Sequence, residues 1–205
     1  MRPGITVVVP TIPPRITNLY QRACQSVWGQ RSDFEFGMVA LFTAVDRNRE
    51  GAAVTRQRAL TEVRTEWVAF LDDDDEFMPH HLLSLITHAS ATGADFVYPW
   101  FMIKDAVGRE CPSWDPFPNT FGKPWDPVHP VQTTVTTLVR TELAQSVGFD
   151  TVPDGETGAD GHRAGEDWRF TLGCQAAGGK ISHLPERTWF WHHHGANTSG
   201  MPDRW

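Results

Sequence analysis

Apolar and polar positions follow one rhythm in the first half of the chain and another in the second. Ile5-Thr6-Val7-Val8-Val9 is a β-branched run closed by Pro10, the pattern of a strand covered on both faces. After the turn Thr11-Ile12-Pro13-Pro14, apolar side chains at Ile16, Leu19, Ala23 and Val27 recur at helical spacing and predict a helix from Ile16 to Gln30. A second strand is expected from Phe36 to Phe42, then a polar loop from Asp46 to Gly51 and a helix from about Ala52 to Val63. The apolar run Trp67 to Leu71 predicts a third strand. A helix from about Pro79 to Ala91 follows, ended by Thr92-Gly93. Strands alternating with helices at this spacing predict an α/β fold with right-handed crossovers and a largely parallel central sheet flanked by helices.

The second half reads differently. Phe96 to Ile103 is rich in aromatic and β-branched residues and predicts one or two strands. Residues 111–130 hold six prolines and the triplets Trp114-Asp115-Pro116 and Trp125-Asp126-Pro127, so a long, stiff loop is expected there. Few of its residues look able to tie it into the sheet, which suggests a flap. Thr133 to Val139 reads as a strand and Thr141 to Val147 as a short helix stopped by Gly148. A glycine- and aspartate-rich loop from Asp150 to Gly165 precedes a helix from Glu166 to Ala177. Two final strands are expected, Ile181 to Leu184 and Trp189 to His193. With no repeat and no low-complexity linker, residues 1–205 are expected to form a single domain.

Composition narrows the partners. A net charge of −7 over 205 residues argues against a general binder of nucleic acid or anionic membrane. Cys24, Cys111 and Cys174 are odd in number and widely spaced, so they give neither a disulfide framework nor a zinc pattern. No apolar stretch is long enough to span a bilayer and none reads as a signal-peptide core, which leads to a cytoplasmic expectation. Of nine tryptophans, seven lie from Trp100 onward, so the two halves are expected to do different jobs.

The chemistry concentrates at Asp72-Asp73-Asp74-Asp75, directly after the third strand. Aspartate disfavours strands, so the strand should end where the acids begin. That delivers carboxylates to the C-terminal strand edge, where open α/β sheets bind ligands. Carboxylate oxygens suit Mg²⁺ or Mn²⁺, ions that complete their shells with substrate phosphate. A solvated acidic turn capping the next helix is the bland alternative.

Several segments, in order, resemble the family 2 glycosyltransferases of the GT-A fold. Val7-Val8-Val9-Pro10-Thr11 resembles the family's opening element, and Ala23 to Gln30 its Ser-Val-x-x-Gln helix end. Ala53-Val54-Thr55-Arg56-Gln57-Arg58-Ala59-Leu60 is similar to its Ala-Arg-Asn helix, and Phe70 to Asp75 to its Leu-Asp-x-Asp-Asp motif. Val147-Gly148-Phe149-Asp150, Gly165-Glu166-Asp167-Trp168 and Trp191 to Ser199 resemble its later elements. Two departures stand out. The family's Val-Asp-Asp-Gly-Ser loop is here Val45-Asp46-Arg47-Asn48-Arg49, and His192 stands where arginine is usual.

The resemblance implies a metal-dependent, inverting transfer of a sugar from a nucleotide-sugar donor to an acceptor hydroxyl. UDP-sugars are favoured, with GDP- and dTDP-sugars open. It implies a nucleotide-sugar-binding half of about residues 1–100 and an acceptor-binding, catalytic half of about residues 101–205. By the same resemblance Asp74 and Asp72 bind Mn²⁺ or Mg²⁺, His194 is a further metal or diphosphate contact, and Asp73 reaches the donor ribose. Solvated charge stays open for Asp73 and Asp75. Thr11, Asp46 and Arg56 are implied to contact base, ribose or diphosphate, Asp167 to be the general base and Glu166 to orient or bind. Against Asp167 stands the ordinary preference for acids in a helix's first turn. Trp114, Trp125 and Trp168 are candidate stacking faces for the acceptor, although aromatic residues more often simply pack. The acceptor stays open among glycan, lipid-linked sugar, protein and modified nucleobase, as does the oligomeric state. A metal-dependent nucleotidyltransferase and a non-catalytic carbohydrate-binding protein are the competing readings; Arg15 would serve the former as a phosphate clamp, but no glycine-rich loop precedes it.

Overall fold

The opening β-branched run forms β1 (Gly4–Thr11), with parallel strands paired along both of its edges. The computed structural model describes residues 3–30, 37–117, 120–131, 133–149 and 165–193. After β1 come a 3₁₀ turn at Pro13–Arg15, α1 (Leu19–Trp28), β2 (Met38–Val45), α2 (Ala52–Leu60) and β3 (Trp67–Phe70). Then follow β4 (Glu76–Phe77), α3 (His81–Thr92), β5 (Phe96–Lys104), β6 (Leu138–Arg140), α4 (Thr141–Val147), α5 (Glu166–Ala176) and β7 (Ile181–His192). The seven strands form one sheet in the order β2-β1-β3-β6-β5-β7-β4. Strands β6 and β4 run antiparallel to their neighbours and the other five share one direction, so the sheet is mostly parallel, as expected.

Both faces of the sheet are buried, which explains why the strands read as continuous apolar runs rather than as alternation. Ile5, Val7 and Val9 of β1, with Trp67 and Ala69 of β3, pack in one cluster with Ala23 and Val27 of α1 and Leu82, Leu85 and Ile86 of α3. On the other face Val8, Val68 and Phe70 meet Ala59 and Leu60 of α2, Ala144 of α4 and Phe170 and Cys174 of α5. Neighbours along each strand thus serve opposite layers, as the period of two requires.

Three expectations are corrected. The last two strands are one: β7 runs through Pro185, and its pairing with β5 shifts register between Tyr98 and Trp100 and again between Trp100 and Phe101. A bulge accommodates a proline that regular pairing would not. The strand expected from Thr133 shrinks to β6: residues 133–137 lack regular pairing, the Thr137 hydroxyl turns to the Val135 carbonyl and the Thr133 hydroxyl meets that of Thr171 on α5. The two-residue β4 was not foreseen; it pairs Glu76 with Phe190 and Phe77 with Trp189, pinning the acidic turn to the end of β7. The loop from residue 150 to 164 lies outside the described residues.

Gly148 ends α4 at φ +71 and ψ 167, a region open only to glycine. An added Cβ would stand 3.0 Å from Gln57 Oε1, the acceptor of the Phe149 N–H. Gly148→Ala is therefore expected to cost about 1–3 kcal/mol, read as a fall in Tm of about 2–4 °C per kcal/mol; an unchanged melt would remove the backbone argument.

Candidate active site

The four aspartates after β3 occupy a tight turn closed by the Asp75 N–H on the Asp72 carbonyl, 3.1 Å. The carboxylates are divided among several partners, with Arg15 shared by two of them. Asp73 turns inward, accepts the Thr11 hydroxyl at 2.7 Å and pairs with Arg15 Nη1 at 2.7 Å. Asp74 meets the same Arg15 nitrogen at 3.2 Å, while its main-chain carbonyl accepts from Arg22 Nη2 at 2.6 Å. Asp75 accepts the His192 main-chain N–H at 3.0 Å, and Asp72 pairs with Arg56. Asp73 and Asp75 are each only 4 % exposed, so the solvated-charge reading fails for both.

Oxygens of Asp72, Asp74 and Asp75 lie within 4.8 Å of one another. Three carboxylate oxygens gathered this closely offer the hard anionic ligands that Mg²⁺ and Mn²⁺ take. The electrostatics also fit a cation. Burial raises the Asp75 carboxyl well above its ordinary value, the charges of Asp74 and Asp72 raise it further, and the His192 N–H and Arg22 offset only part of this. Asp75 was not anticipated in this group, although its place in the acidic run was the available signal. His194 lies outside the described residues, with the rest of the expected terminal element to Ser199.

Arg56 is the central cation. It sits in the first half of α2 with its side chain 4 % exposed, one guanidinium nitrogen on Asp72 and another on Glu166. Desolvation opposes its charge, but the two carboxylates outweigh it and the guanidinium is held ionised. Burial likewise opposes the charge on Glu166, and Arg56 more than compensates, so this carboxyl is lowered. The adjoining Asp167 behaves in the opposite way. Burial and the Glu166 charge push it up to about 7, against Arg56 and the Trp168 N–H, which reaches Asp167 Oδ1 at 2.8 Å. Two neighbouring acids thus differ in protonation near neutral pH, a separation suited to proton transfer.

Asp46, at the end of β2, accepts main-chain N–H groups of Asn48, Glu50 and Gly51 at 3.2, 3.0 and 2.9 Å. Burial opposes its charge, but these donors prevail and lower the carboxyl below its usual range. The residue shapes the loop that leads into α2, a role not anticipated. Arg15 and Arg22 were also not assigned to this cluster; Pro13-Pro14 before Arg15 was the signal that a fixed turn presents it.

Of the tryptophans expected to stack on the acceptor, Trp125 lies edge-on to Trp168 at 6.2 Å and Trp114 lies 4.6 Å from the His193 ring. The expectation that few residues tie down the 111–130 segment is overturned. Asp115 accepts Trp100 Nε1 at 2.7 Å, the Gly122 N–H reaches His183 Nε2 at 3.1 Å, and Gln175 accepts Trp125 Nε1 at 3.0 Å while donating to the Pro127 carbonyl at 3.1 Å. Indole and backbone donors that need buried partners hold the loop. A separate groove of about 290 Å³, lined by Met38, Phe42 and Arg64 among others, lies near the start of β1, away from the carboxylates.

This is a GT-A type architecture with a carboxylate site at the strand ends. Residues 41–148, just over half of the 205, match the model of glycosyl transferase family 2, and the chain belongs to that family. Among solved structures, the crystal structure of S. aureus TarS 1-349 superposes with a TM-score of 0.68 at 19% identity, over 94% of this chain and 60% of that one. The complex of the same protein with UDP-GlcNAc gives 0.67 at 19% identity, over 100% of this chain and 63% of that one. At these identities the likeness is one of fold, and the chain spans about 60% of the TarS fragment. No curated protein matches the sequence.

Arg56→Met would leave Asp72 and Glu166 charged without their shared partner. A loss of about 3–5 kcal/mol in urea unfolding is expected, with part recovered in the Arg56→Met/Glu166→Gln double variant. Equal stability of wild type and Arg56→Met would show that the bridge contributes nothing to the fold.

Proposed function

We propose that this chain transfers a glycosyl group from a nucleotide-sugar donor to an acceptor hydroxyl, with inversion and with a divalent metal. The observation that carries the reading is the convergence of two different acid sets on one arginine. Asp72 of the cation-fitted group and Glu166, next to the raised carboxyl of Asp167, both pair with Arg56. UDP is the favoured nucleotide because TarS, with the same fold, has been crystallised with UDP and with UDP-GlcNAc. Residues 1–100 then bind the donor, and residues 101–205 bind the acceptor and supply the base, within one domain.

Asp72, Asp74 and Asp75 would hold Mn²⁺ or Mg²⁺, which supplies Lewis-acid stabilisation of the diphosphate as it leaves. Asp167 accepts the proton of the attacking hydroxyl; a carboxyl poised near 7 is half-ionised at working pH and still basic enough to take it. Glu166, committed to Arg56, orients rather than accepts. A single base working opposite the leaving group is what one-step inversion requires. Thr11 contributes through Asp73, whose carboxylate it keeps turned toward Arg15. Trp168 and Trp125 form the aromatic edge next to Asp167, against which an acceptor sugar would stack.

Asp74→Asn removes an anionic ligand with little change of shape, so metal-dependent UDP binding measured by calorimetry is expected to disappear; undiminished affinity would remove Asp74 from the metal site. Asp167→Asn is expected to keep UDP affinity and to lose on the order of 10²–10⁴ in kcat. The base works ionised and its carboxyl is raised to about 7, so wild-type kcat/KM should rise as pH increases through 7. A rate independent of pH between 6 and 8, with full turnover in Asp167→Asn, would move the base elsewhere.

A further inference from the structure

Three arginines face the acidic turn, and they are not equivalent. Arg56 is locked between Asp72 and Glu166. Arg22 spends Nη2 on the main-chain carbonyl of Asp74, and its Nε is buried without a partner among the described residues. Arg15 touches carboxylates through Nη1 alone, at 2.7 Å from Asp73 and 3.2 Å from Asp74, and its side chain is 30% exposed. Its backbone is fixed: Pro13 and Pro14 preset the turn, and the Arg15 N–H closes it on the Ile12 carbonyl at 3.0 Å. A rigid Cα with an open guanidinium gives a cation that can turn without moving the chain.

We propose that Arg15 is an exchangeable counter-cation, pairing with Asp74 until a divalent metal takes that carboxylate and then turning its guanidinium onto the diphosphate of the donor. This rests on the function proposed above. A guanidinium and a divalent ion compete for the charge on Asp74, because that carboxylate belongs both to the Arg15 pair and to the three-oxygen group. Asp73 is the pivot. It is buried, outside that group, and held by the Thr11 hydroxyl through its second oxygen, so it keeps its grip on Nη1 while the remaining N–H groups swing. The planar fork of Arg15 suits two phosphate oxygens at once. It would add positive charge where the leaving diphosphate gains negative charge.

Competition and binding predict opposite signs for one substitution. In calorimetry on the whole chain, Arg15→Gln is expected to bind Mn²⁺ alone several-fold more tightly than wild type, since a rival cation is gone. In saturating Mn²⁺ it should bind UDP on the order of 10- to 100-fold more weakly, the loss of charge-assisted hydrogen bonds. Arg15→Lys keeps the charge without the fork, so it should restore near-wild-type Mn²⁺ affinity and only part of the UDP affinity; it also carries the test should Arg15→Gln fail to fold. Unchanged UDP affinity in both variants would make Arg15 a structural counter-ion and overturn the proposal. Weaker Mn²⁺ binding in Arg15→Gln would overturn the exchange. A wild-type chain that binds neither Mn²⁺ nor UDP would overturn the proposed function and this inference with it, a result separable from failure at Arg15 alone.

Discussion

The buried Arg56 guanidinium is the interaction on which the arrangement of the site depends. Asp72 leaves the sheet after β3, and Glu166 begins α5, whose Phe170 packs on Phe70 of β3. Nothing in the sheet hydrogen-bonding joins these two points. A cation placed between them by α2 does so, and it must be arginine for geometric reasons: two carboxylates approach from different directions, and a planar fork can serve both where an ammonium point charge serves them poorly. The cost of desolvating the ion is offset by two carboxylate partners rather than one. Among the described residues Asp167 makes no such pair: its own burial and the charge of Glu166 raise its affinity for a proton, and Arg56 offsets only part of this.

The first half of the fold was legible because its signals are local. The β-branched run of β1 and the continuous apolar run of β3 have no competing explanation in a chain that alternates them with helical stripes. The second half was less so. A proline within β7 read as a break because the sequence carries no sign of the bulge opposite Trp100 that absorbs it. The threonine-rich stretch before β6 has strand propensity, but Thr137 turns its hydroxyl to local backbone and Thr133 to the Thr171 side chain of α5. Propensity describes a pleated surface, and these residues are buried somewhere that offers no second strand.

Within the site, residue types were legible and their partnerships were not. The acidic run, Arg56 and the Glu166-Asp167 pair were all visible as chemistry. That Asp73 belongs to Thr11 and Arg15, and Asp75 to the backbone of β7, depends on contacts 58 to 117 positions apart. The loop at residues 111–130 was misjudged for a related reason. Prolines advertise stiffness, but the atoms that fasten it, Gln175 and His183, belong to other elements whose side-chain direction no local pattern reveals.

The contact between Asp75 and β7 uses the main-chain N–H of His192 and asks nothing of the side chain. Such a contact is blind to substitution and sensitive to chain length. Arginine, usual at this place in the family, and the histidine found here can serve it equally, and the imidazole is left to meet Glu76 at 3.2 Å instead. A single residue inserted or deleted in β7 after its pairing with β4 would present a different amide to Asp75 and invert which side chains face the core. At this edge of the site the contact tolerates a change of side chain but not of chain length.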